Sequence, residues 1–343
     1  MSSILYIASK ESDYLQDTIY SGLVKKLGCQ RVIDWPWNPN FHWPRKKYPR
    51  NLGFQGINFS HLGATLLQAI PWNNLACVIV AATKPDCFEA YLKILPQLPS
   101  HVPVIFLDGG DYPELGGDLN RLKRPDLWSE VEKQRPFDLI FKREMLEKKD
   151  YPNNIEALPF AIPFHLMPTN LPQALKYDVS FWAVESDPIR TQALSLIENK
   201  FDCRANGSTR NQVFKKYKRK GVFYLEELAR CRVILNFRGV GWDTLRYWEV
   251  FGLSRFLISQ KPQIRIPENF VHGKEIIFCQ DDLSDLVELC EYYLKNESER
   301  EKIAQAGFEK AKRFHSDKAR ADFVLKNLSA KLNVNFDKRR NEI

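Results

Sequence analysis

A strand, a glycine-containing turn, a short helix and a second strand follow one another between residues 232 and 260, and this order constrains the fold most. The run Arg232–Phe237 is short, β-branched and mostly apolar, as a buried parallel strand is. Gly239 and Gly241 allow the backbone to turn sharply and to approach another group closely. Phe256–Ser259 then resumes the apolar pattern. A strand–helix–strand unit of this kind predicts an open α/β sheet, with ligands bound beyond the carboxyl ends of its strands.

The helix of this unit carries a basic and an acidic side chain one turn apart. Asp243 is the predicted N-cap, and Arg246 and Glu249 lie on the same helix face. A guanidinium suits a diphosphate, and a carboxylate can accept hydrogen bonds from two vicinal hydroxyls. This face would then form half of a nucleotide-sugar site. The alternative is a surface ion pair between the two residues, which contributes about 0.2–0.5 kcal/mol.

The composition is that of a globular protein without membrane spans. The 343 residues are enough for two domains, and 44% of them are hydrophobic. No run approaches the roughly 18 consecutive apolar residues of a membrane span, and the start MSSILYIASKESD lacks the basic region of a signal peptide. Seven cysteines without CxxC or other metal spacing predict reduced thiols and a cytoplasmic location. The segment after the first strand has no GxGxxG, which argues against NAD.

The protein is basic, with a net charge of +8 and a pI near 9.0. Such a surface can face nucleic acid, a polyphosphate substrate or, as a peripheral contact, an anionic membrane. Solvated faces and a frayed tail are the alternative. The basic residues are densest in three clusters: Arg45–Lys47 with Arg50, Lys215–Lys220 and Lys338–Arg340.

Residues 36–60 are rich in Trp, Pro and basic side chains without periodicity. A long loop inside a domain is often functional, and its aromatic faces could stack on a sugar or a base of the acceptor. A packed irregular insertion is the equally weighted alternative.

Two carboxylates follow the predicted strand Pro103–Leu107, on a glycine turn. Asp108 and Asp111 would lie at the carboxyl end of that strand, where a ligand binds. An inverting sugar transfer needs one carboxylate to accept the proton of the acceptor hydroxyl, so both are candidate catalytic bases. A structural glycine turn with Asp is the alternative. Their spacing is not the D-x-D of metal-dependent enzymes, and no metal is expected.

Four prolines between residues 159 and 172 predict a semi-rigid linker. The predicted domains are therefore an N-terminal Rossmann-like acceptor domain over residues 1–165 and a nucleotide-sugar domain over residues 173–315. A final helix over residues 316–332 and a disordered tail over residues 333–343 would follow.

Residues 178–323 resemble the C-terminal domain of GT-B glycosyltransferases, specifically the CgeB-like "glycosyl transferases group 1" type. The likeness is carried by three stretches: VSFWAVESDPIR, GVGWDTLRYWEVFG and VHGKEIIFCQDDLSDLVELCEYYLKNESEREKIAQAGFEKAKRFHS. It implies two Rossmann-like domains facing a central cleft, and a crossover helix over residues 316–332 that returns to the first domain. It also implies that Glu249 binds the nucleotide ribose and that Arg246 binds the diphosphate. The remaining donor-binding candidates are Arg190, Arg238, Gly239, Gly241, Thr244 and Asn206.

The chain departs from this family in two places. Many retaining members carry E-x7-E, but the position eight before Glu249 is Gly241. Ala183 and Val184 also replace the usual glycine of the loop before Arg190. Viral DNA glucosyltransferases of the same fold resemble the chain in their R-x-W-E run, which is Arg246-Tyr-Trp-Glu here. The retaining or inverting outcome therefore stays open.

The predicted function is metal-independent transfer of a hexose or pentose from a nucleotide-sugar, UDP- or GDP-linked, to a hydroxyl acceptor, with no further cofactor. The acceptor would be a glycan or glycoconjugate. One alternative is a DNA-modifying glycosyltransferase that acts on a hydroxylated base. The other is a non-catalytic nucleotide-sugar-binding protein of the same fold.

Overall fold

The computed structural model describes residues 2–44, 47–57, 67, 70–172, 174–201 and 221–336. The chain forms two compact units. Unit 1 comprises the residues up to 161 together with those from 317 onward, and unit 2 comprises residues 162–316. Each unit is built on a parallel β-sheet of its own.

The sheet of unit 1 has the strand order β2-β1-β3-β4-β5-β6, and all neighbouring strands are parallel. Every residue of β1 and β4 is buried, which explains their continuous apolar sequences. The strand order reverses beside β1, and in such sheets ligands bind beyond the carboxyl ends of the strands. The strands are Ser3–Ile7, Val32–Trp35, Leu75–Val80, Val104–Asp108, Leu139–Lys142 and Ile155–Ala157.

The first helix of unit 1 has clear start and stop signals. Helix α1 spans Tyr14–Leu27 and begins after Asp13, whose side chain accepts a hydrogen bond from the Gln16 amide at 3.0 Å. It ends at Gly28, whose φ of +87° favours glycine. The other helices of unit 1 are α2 Pro39–His42, α3 Pro85–Ile94, α4 Gly117–Arg121, α5 Pro125–Gln134 and, after unit 2, α11 Asp317–Leu332.

Helix α11 packs closely on α1. A Cβ at Gly22 would lie 2.1 Å from the Asp317 carbonyl oxygen, so the small residue permits the contact. The Asp317 carboxylate accepts a hydrogen bond from Ser21 Oγ at 2.6 Å and pairs with Lys25 Nζ at 2.5 Å. These buried contacts attach the last helix to unit 1.

Unit 2 has the strand order β10-β9-β8-β7, again with parallel neighbours. Its strands are Tyr177–Ser180, Cys231–Asn236, Leu257–Gln260 and Ile277–Cys279. Its described helices are α6 Pro188–Ile197, α7 Val222–Leu228, α8 Leu245–Gly252, α9 Leu286–Lys295 and α10 Glu297–Phe314. The central strand β8 is buried from Val233 to Asn236 and leads directly into the turn before α8.

Three local predictions needed correction. Asp243 is not the N-cap of α8, because that position belongs to Thr244 and the Asp243 carboxylate instead accepts from Trp248 Nε1 at 2.6 Å. The periodic sequence Leu283–Leu294 predicts a helix that starts at Leu283, but the helix begins three residues later at Leu286, since Leu283 has a φ of +61°. Disorder does not begin at residue 333, because Val334 is buried and its amide donates to the Leu328 carbonyl at 3.2 Å.

No helix among the described residues is long and apolar enough to cross a membrane. The described cysteines are free thiols, and all of them except Cys29 are buried.

Candidate functional site

The turn after β8 positions the predicted donor residues of unit 2. At the start of α8, the Thr244 hydroxyl donates to Asn236 Oδ1 at 2.6 Å rather than to the helix. In the described part of the chain no side chain caps this helix. The first amide groups of a helix carry partial positive charge, so an uncapped end attracts an anion.

Arg246 brings a full positive charge to the same helix end. Its side chain is only 9% exposed, its guanidinium lies 5.2 Å above the Phe181 ring, and Nη2 donates to the Trp182 carbonyl. Within the described residues, the buried Nε of Arg246 has no hydrogen-bond partner. A buried donor that carries charge and lacks a partner is costly, and an anionic ligand would satisfy it.

Arg190, on the first turn of α6, lies 5.9 Å from the centre of the same Phe181 ring. Burial, together with the nearby charge of Arg246, lowers the pKa of Arg190 to about 10. Its guanidinium donates to the carbonyls of Arg238 at 2.7 Å, Val184 at 2.9 Å and Phe237 at 3.1 Å. Arg190 therefore holds the loops after β7 and β8 together.

Glu249 lies one turn after Arg246 and is 4% exposed. Its Oε2 accepts a hydrogen bond from the Tyr224 hydroxyl at 3.0 Å. Burial and the Glu249 carboxylate raise the pKa of Tyr224, so the phenol stays protonated and remains a donor. The arrangement is a buried network, and the surface ion pair between Arg246 and Glu249 that served as the alternative does not describe it.

The remaining donor candidates occupy the loop between β8 and α8. A Cβ at Gly239 would lie 3.0 Å from Arg190 Nη2, which accounts for the glycine, and its amide donates to the Gly241 carbonyl at 2.9 Å. Arg238 is about one-third exposed, stacks over Trp242 at 4.5 Å and has its Nε 3.3 Å from Asp187 Oδ2. Asn206 lies outside the described residues.

Asp108, one of the two predicted bases in unit 1, is fully buried at the end of β4. It pairs with Lys142 Nζ at 2.9 Å and also accepts from Thr83 Oγ1 at 2.8 Å and from the Gly116 amide at 3.2 Å. Lys142 is itself buried, and its Nζ also donates to the carbonyls of Tyr112 at 3.0 Å and Glu114 at 3.1 Å in the loop after β4. These contacts argue against Asp108 as a base, since a base must reach the acceptor, and give it the structural role named as the alternative.

Asp111 is the accessible one of the two. Its side chain is 50% exposed and pairs with Arg143, which lies 4.4 Å from the Phe160 ring. A second carboxylate of this edge, Asp13, is half-buried, and burial raises its pKa. No local pattern singles out Asp13 or Lys142, because Asp13 follows a polar segment and Lys142 ends an apolar strand.

The described part of the loop 36–60 is packed rather than open. The Phe41 ring is fully buried and stacks on Tyr20 with 3.9 Å between ring centres. His42 is buried as well, and its Nε2 lies 2.8 Å from Asp34 Oδ1. For residues 36–44 and 47–57 these contacts favour the packed insertion over an acceptor loop.

Comparison with known proteins places this geometry in a known fold. HepE of Anabaena in complex with UDP-glucose superposes with a TM-score of 0.58 at 10% identity, over 96% of this chain and 100% of that one. The sucrose-phosphate synthase of Thermosynechococcus elongatus has a TM-score of 0.58 at 12% identity, over 97% and 99%. The chain has the GT-B fold.

A third GT-B structure is an alpha-glucosyltransferase bound to UDP and a 13-mer DNA, with a TM-score of 0.60 at 11% identity over 97% of this chain and 100% of that chain. In sequence, residues 192–326 match the family model described as glycosyl transferase-like. No curated protein matches the sequence significantly. The family match begins just after Arg190 and includes Arg246 and Glu249.

Proposed function

We propose that this GT-B protein transfers a sugar from a nucleoside diphosphate-sugar to a hydroxyl acceptor. The observation that carries the proposal is the pair of buried guanidinium groups at one end of unit 2. Arg190 and Arg246 flank the Phe181 ring, and the uncapped start of α8 lies at the same place. Two like charges in a buried site repel each other, so the site is built for a ligand with at least two negative charges.

The donor would be a UDP- or GDP-linked sugar. Arg246 and the amide groups of α8 would hold the diphosphate, and Glu249, one helical turn further, would accept hydrogen bonds from the ribose hydroxyls. Binding of UDP-glucose by HepE, a protein of the same fold, supports a nucleotide-sugar as the ligand.

The chemical contribution of unit 2 would be electrostatic. When the bond between the anomeric carbon and the phosphate oxygen breaks, the nucleoside diphosphate leaves with the electron pair. The fixed charges of Arg190 and Arg246 stabilise that developing negative charge without reorganisation. Because these two fixed charges could stabilise the leaving group by themselves, we propose that the transfer needs no metal ion, and a chelator should leave the transfer rate unchanged.

Asp111 is the proposed base if the transfer inverts the anomeric centre. Its exposed carboxylate can accept the proton of the acceptor hydroxyl, whereas the oxygens of Asp108 are occupied and buried. Asp13 is a second carboxylate of the same unit with a raised pKa and makes a suitable comparison.

A glycan or glycoconjugate is the first proposed acceptor class, and a hydroxylated base in DNA is the second. Two observations favour the second class: the net charge of +8 and the likeness to an alpha-glucosyltransferase that binds DNA. Binding to DNA should then weaken steeply as salt rises, because phosphate contacts release counterions.

Radiolabelled UDP- and GDP-sugars test the proposal directly. The protein should release the nucleoside diphosphate and pass the label to a glycan or to DNA that contains a hydroxymethylated base. Donor binding without any release or transfer would instead support the non-catalytic alternative.

A further inference from the structure

The Tyr224 hydroxyl lies between the two side chains to which donor binding is assigned. It donates to Glu249 Oε2 at 3.0 Å, and the Arg246 guanidinium lies beside it and partly offsets the rise in its pKa. The same phenol thus contacts Glu249, the residue proposed to bind the ribose, and lies beside Arg246, the residue proposed to bind the diphosphate.

The surroundings of Tyr224 hold it in this position. It lies on the first turn of α7, which Leu225 and Leu228 anchor by their complete burial. Its ring makes an edge contact with Trp182 at 6.2 Å. Because the Trp182 carbonyl also accepts from Arg246, the tryptophan links the two residues through a second route.

A hydrogen bond from a neutral phenol to a carboxylate does more than satisfy a buried group. It favours the ionised carboxylate and fixes the plane in which its oxygens lie. A carboxylate with a fixed plane can meet two vicinal hydroxyls at once, and a freely rotating one loses entropy when it does so.

The neighbouring Tyr247 provides the contrast. It lies on α8 and is only 1% exposed. Within the described residues its hydroxyl has no hydrogen-bond partner. Removal of that hydroxyl would leave the Tyr224–Glu249 contact intact, so Tyr247→Phe is a matched control.

We propose that Tyr224 is a positioning residue that orients Glu249 for the ribose hydroxyls and makes the site selective for ribonucleotides over 2′-deoxyribonucleotides. The inference rests on the proposed function, since it takes Glu249 as the ribose acceptor. Tyr224 itself need not touch the reacting atoms.

The test compares the affinities of UDP and 2′-deoxy-UDP, and of GDP and 2′-deoxy-GDP, by calorimetry on three proteins: wild type, Tyr224→Phe and Tyr247→Phe. The wild type should prefer the ribonucleotide about tenfold, as expected for a hydrogen bond to a charged group. In Tyr224→Phe the ribonucleotide should bind several-fold more weakly and the 2′-deoxy compound almost unchanged, so that the preference nearly disappears. Tyr247→Phe should keep the wild-type preference.

Two results would overturn this role. An unchanged preference in Tyr224→Phe would show that Glu249 needs no such orientation. Equal weakening of both ligands would mean that Tyr224 supports diphosphate binding or only the folded structure, and not the contact with the ribose. Failure of the proposed function would be seen earlier, as a wild-type protein that binds neither UDP nor GDP.

Discussion

Within the described residues the buried Nε of Arg246 has no hydrogen-bond acceptor, and the charge of Arg246 lies close enough to Arg190 to lower the pKa of that guanidinium. Such a placement is unfavourable in the ligand-free protein and favourable once an anion is bound. We therefore expect Arg246 to contribute to ligand binding far more than to folding.

The matched comparison is Arg246→Met with Arg255→Met. Arg255 is also partly buried and donates to backbone carbonyls, but it follows the opposite end of α8. Arg246→Met should weaken binding of UDP or GDP by about 1.5–3 kcal/mol and leave the melting temperature of the ligand-free protein nearly unchanged. Arg255→Met should lower the melting temperature and retain the affinity. The opposite pattern would mean that Arg246 is structural.

Asp108, the last residue of β4, and Asp111, three residues later, should differ in how much they contribute to stability. Asp108→Asn leaves the buried Lys142 charge without its counter-ion, so the free energy of unfolding should fall by about 3–5 kcal/mol. Asp111 is half-exposed, and the buried Arg143 with which it pairs also lies 3.7 Å from the Glu144 carboxylate. Asp111→Asn keeps an oxygen that can accept from Arg143, so it should cost less than about 1 kcal/mol. Denaturant unfolding measures both. Equal losses would contradict the structural role of Asp108.

The sequence predicted which residues are candidates for the site, but it could not predict which other residues they contact. Arg246 and Glu249 were found because their spacing places them on one helix face. The three carbonyls held by Arg190 and the lysine that pairs with Asp108 come from segments up to 48 residues away. Local pattern carries no information about such contacts.

Two glycines of unit 2, Gly239 and Gly307, should differ in effect when replaced by alanine: one replacement should affect nucleotide binding and the other should affect stability. Gly239→Ala would bring a Cβ 3.0 Å from Arg190 Nη2, and Gly239 has no positive φ, so only the guanidinium must move. Gly307→Ala, in α10, would bring a Cβ 2.6 Å from the Glu275 carbonyl oxygen and 2.9 Å from the Phe251 ring of α8.

Gly239→Ala should therefore weaken nucleotide binding with little change in melting temperature. Gly307→Ala should destabilise the protein by about 1–3 kcal/mol, because backbone must shift to relieve the contact. Calorimetry and thermal unfolding on both variants measure the two quantities. A Gly239→Ala protein with wild-type affinity would argue that the position of Arg190 does not matter.

Sequence patterns predicted the type of most elements better than their ends. The sequence Asp178–Trp182 predicts the first strand of unit 2, and the strand observed is Tyr177–Ser180. Phe181 and Trp182 lie beyond its end and contact Arg246 instead. The N-cap of α8 is one residue later than predicted, because the Asp243 carboxylate accepts a hydrogen bond from the Trp248 indole instead of capping the helix. Tertiary contacts of this kind override local capping preferences.

For the whole molecule, the alternation of strands and helices predicted α/β domains, and the resemblance of residues 178–323 to known C-terminal domains implied the GT-B type. The observed fold confirms both. The nucleotide base, the sugar and the acceptor are not encoded in that alternation. Asn206, one of the candidate donor-binding residues, lies outside the described residues.

We propose that Arg246 and Glu249 hold the nucleoside diphosphate of the donor. Calorimetric titration of UDP and GDP into the wild type and into Glu249→Ala measures whether they do. We predict saturable binding of at least one of the two by the wild type, weakened by about 1–3 kcal/mol in the variant. Unchanged affinity in Glu249→Ala, or no binding by the wild type, would contradict the account.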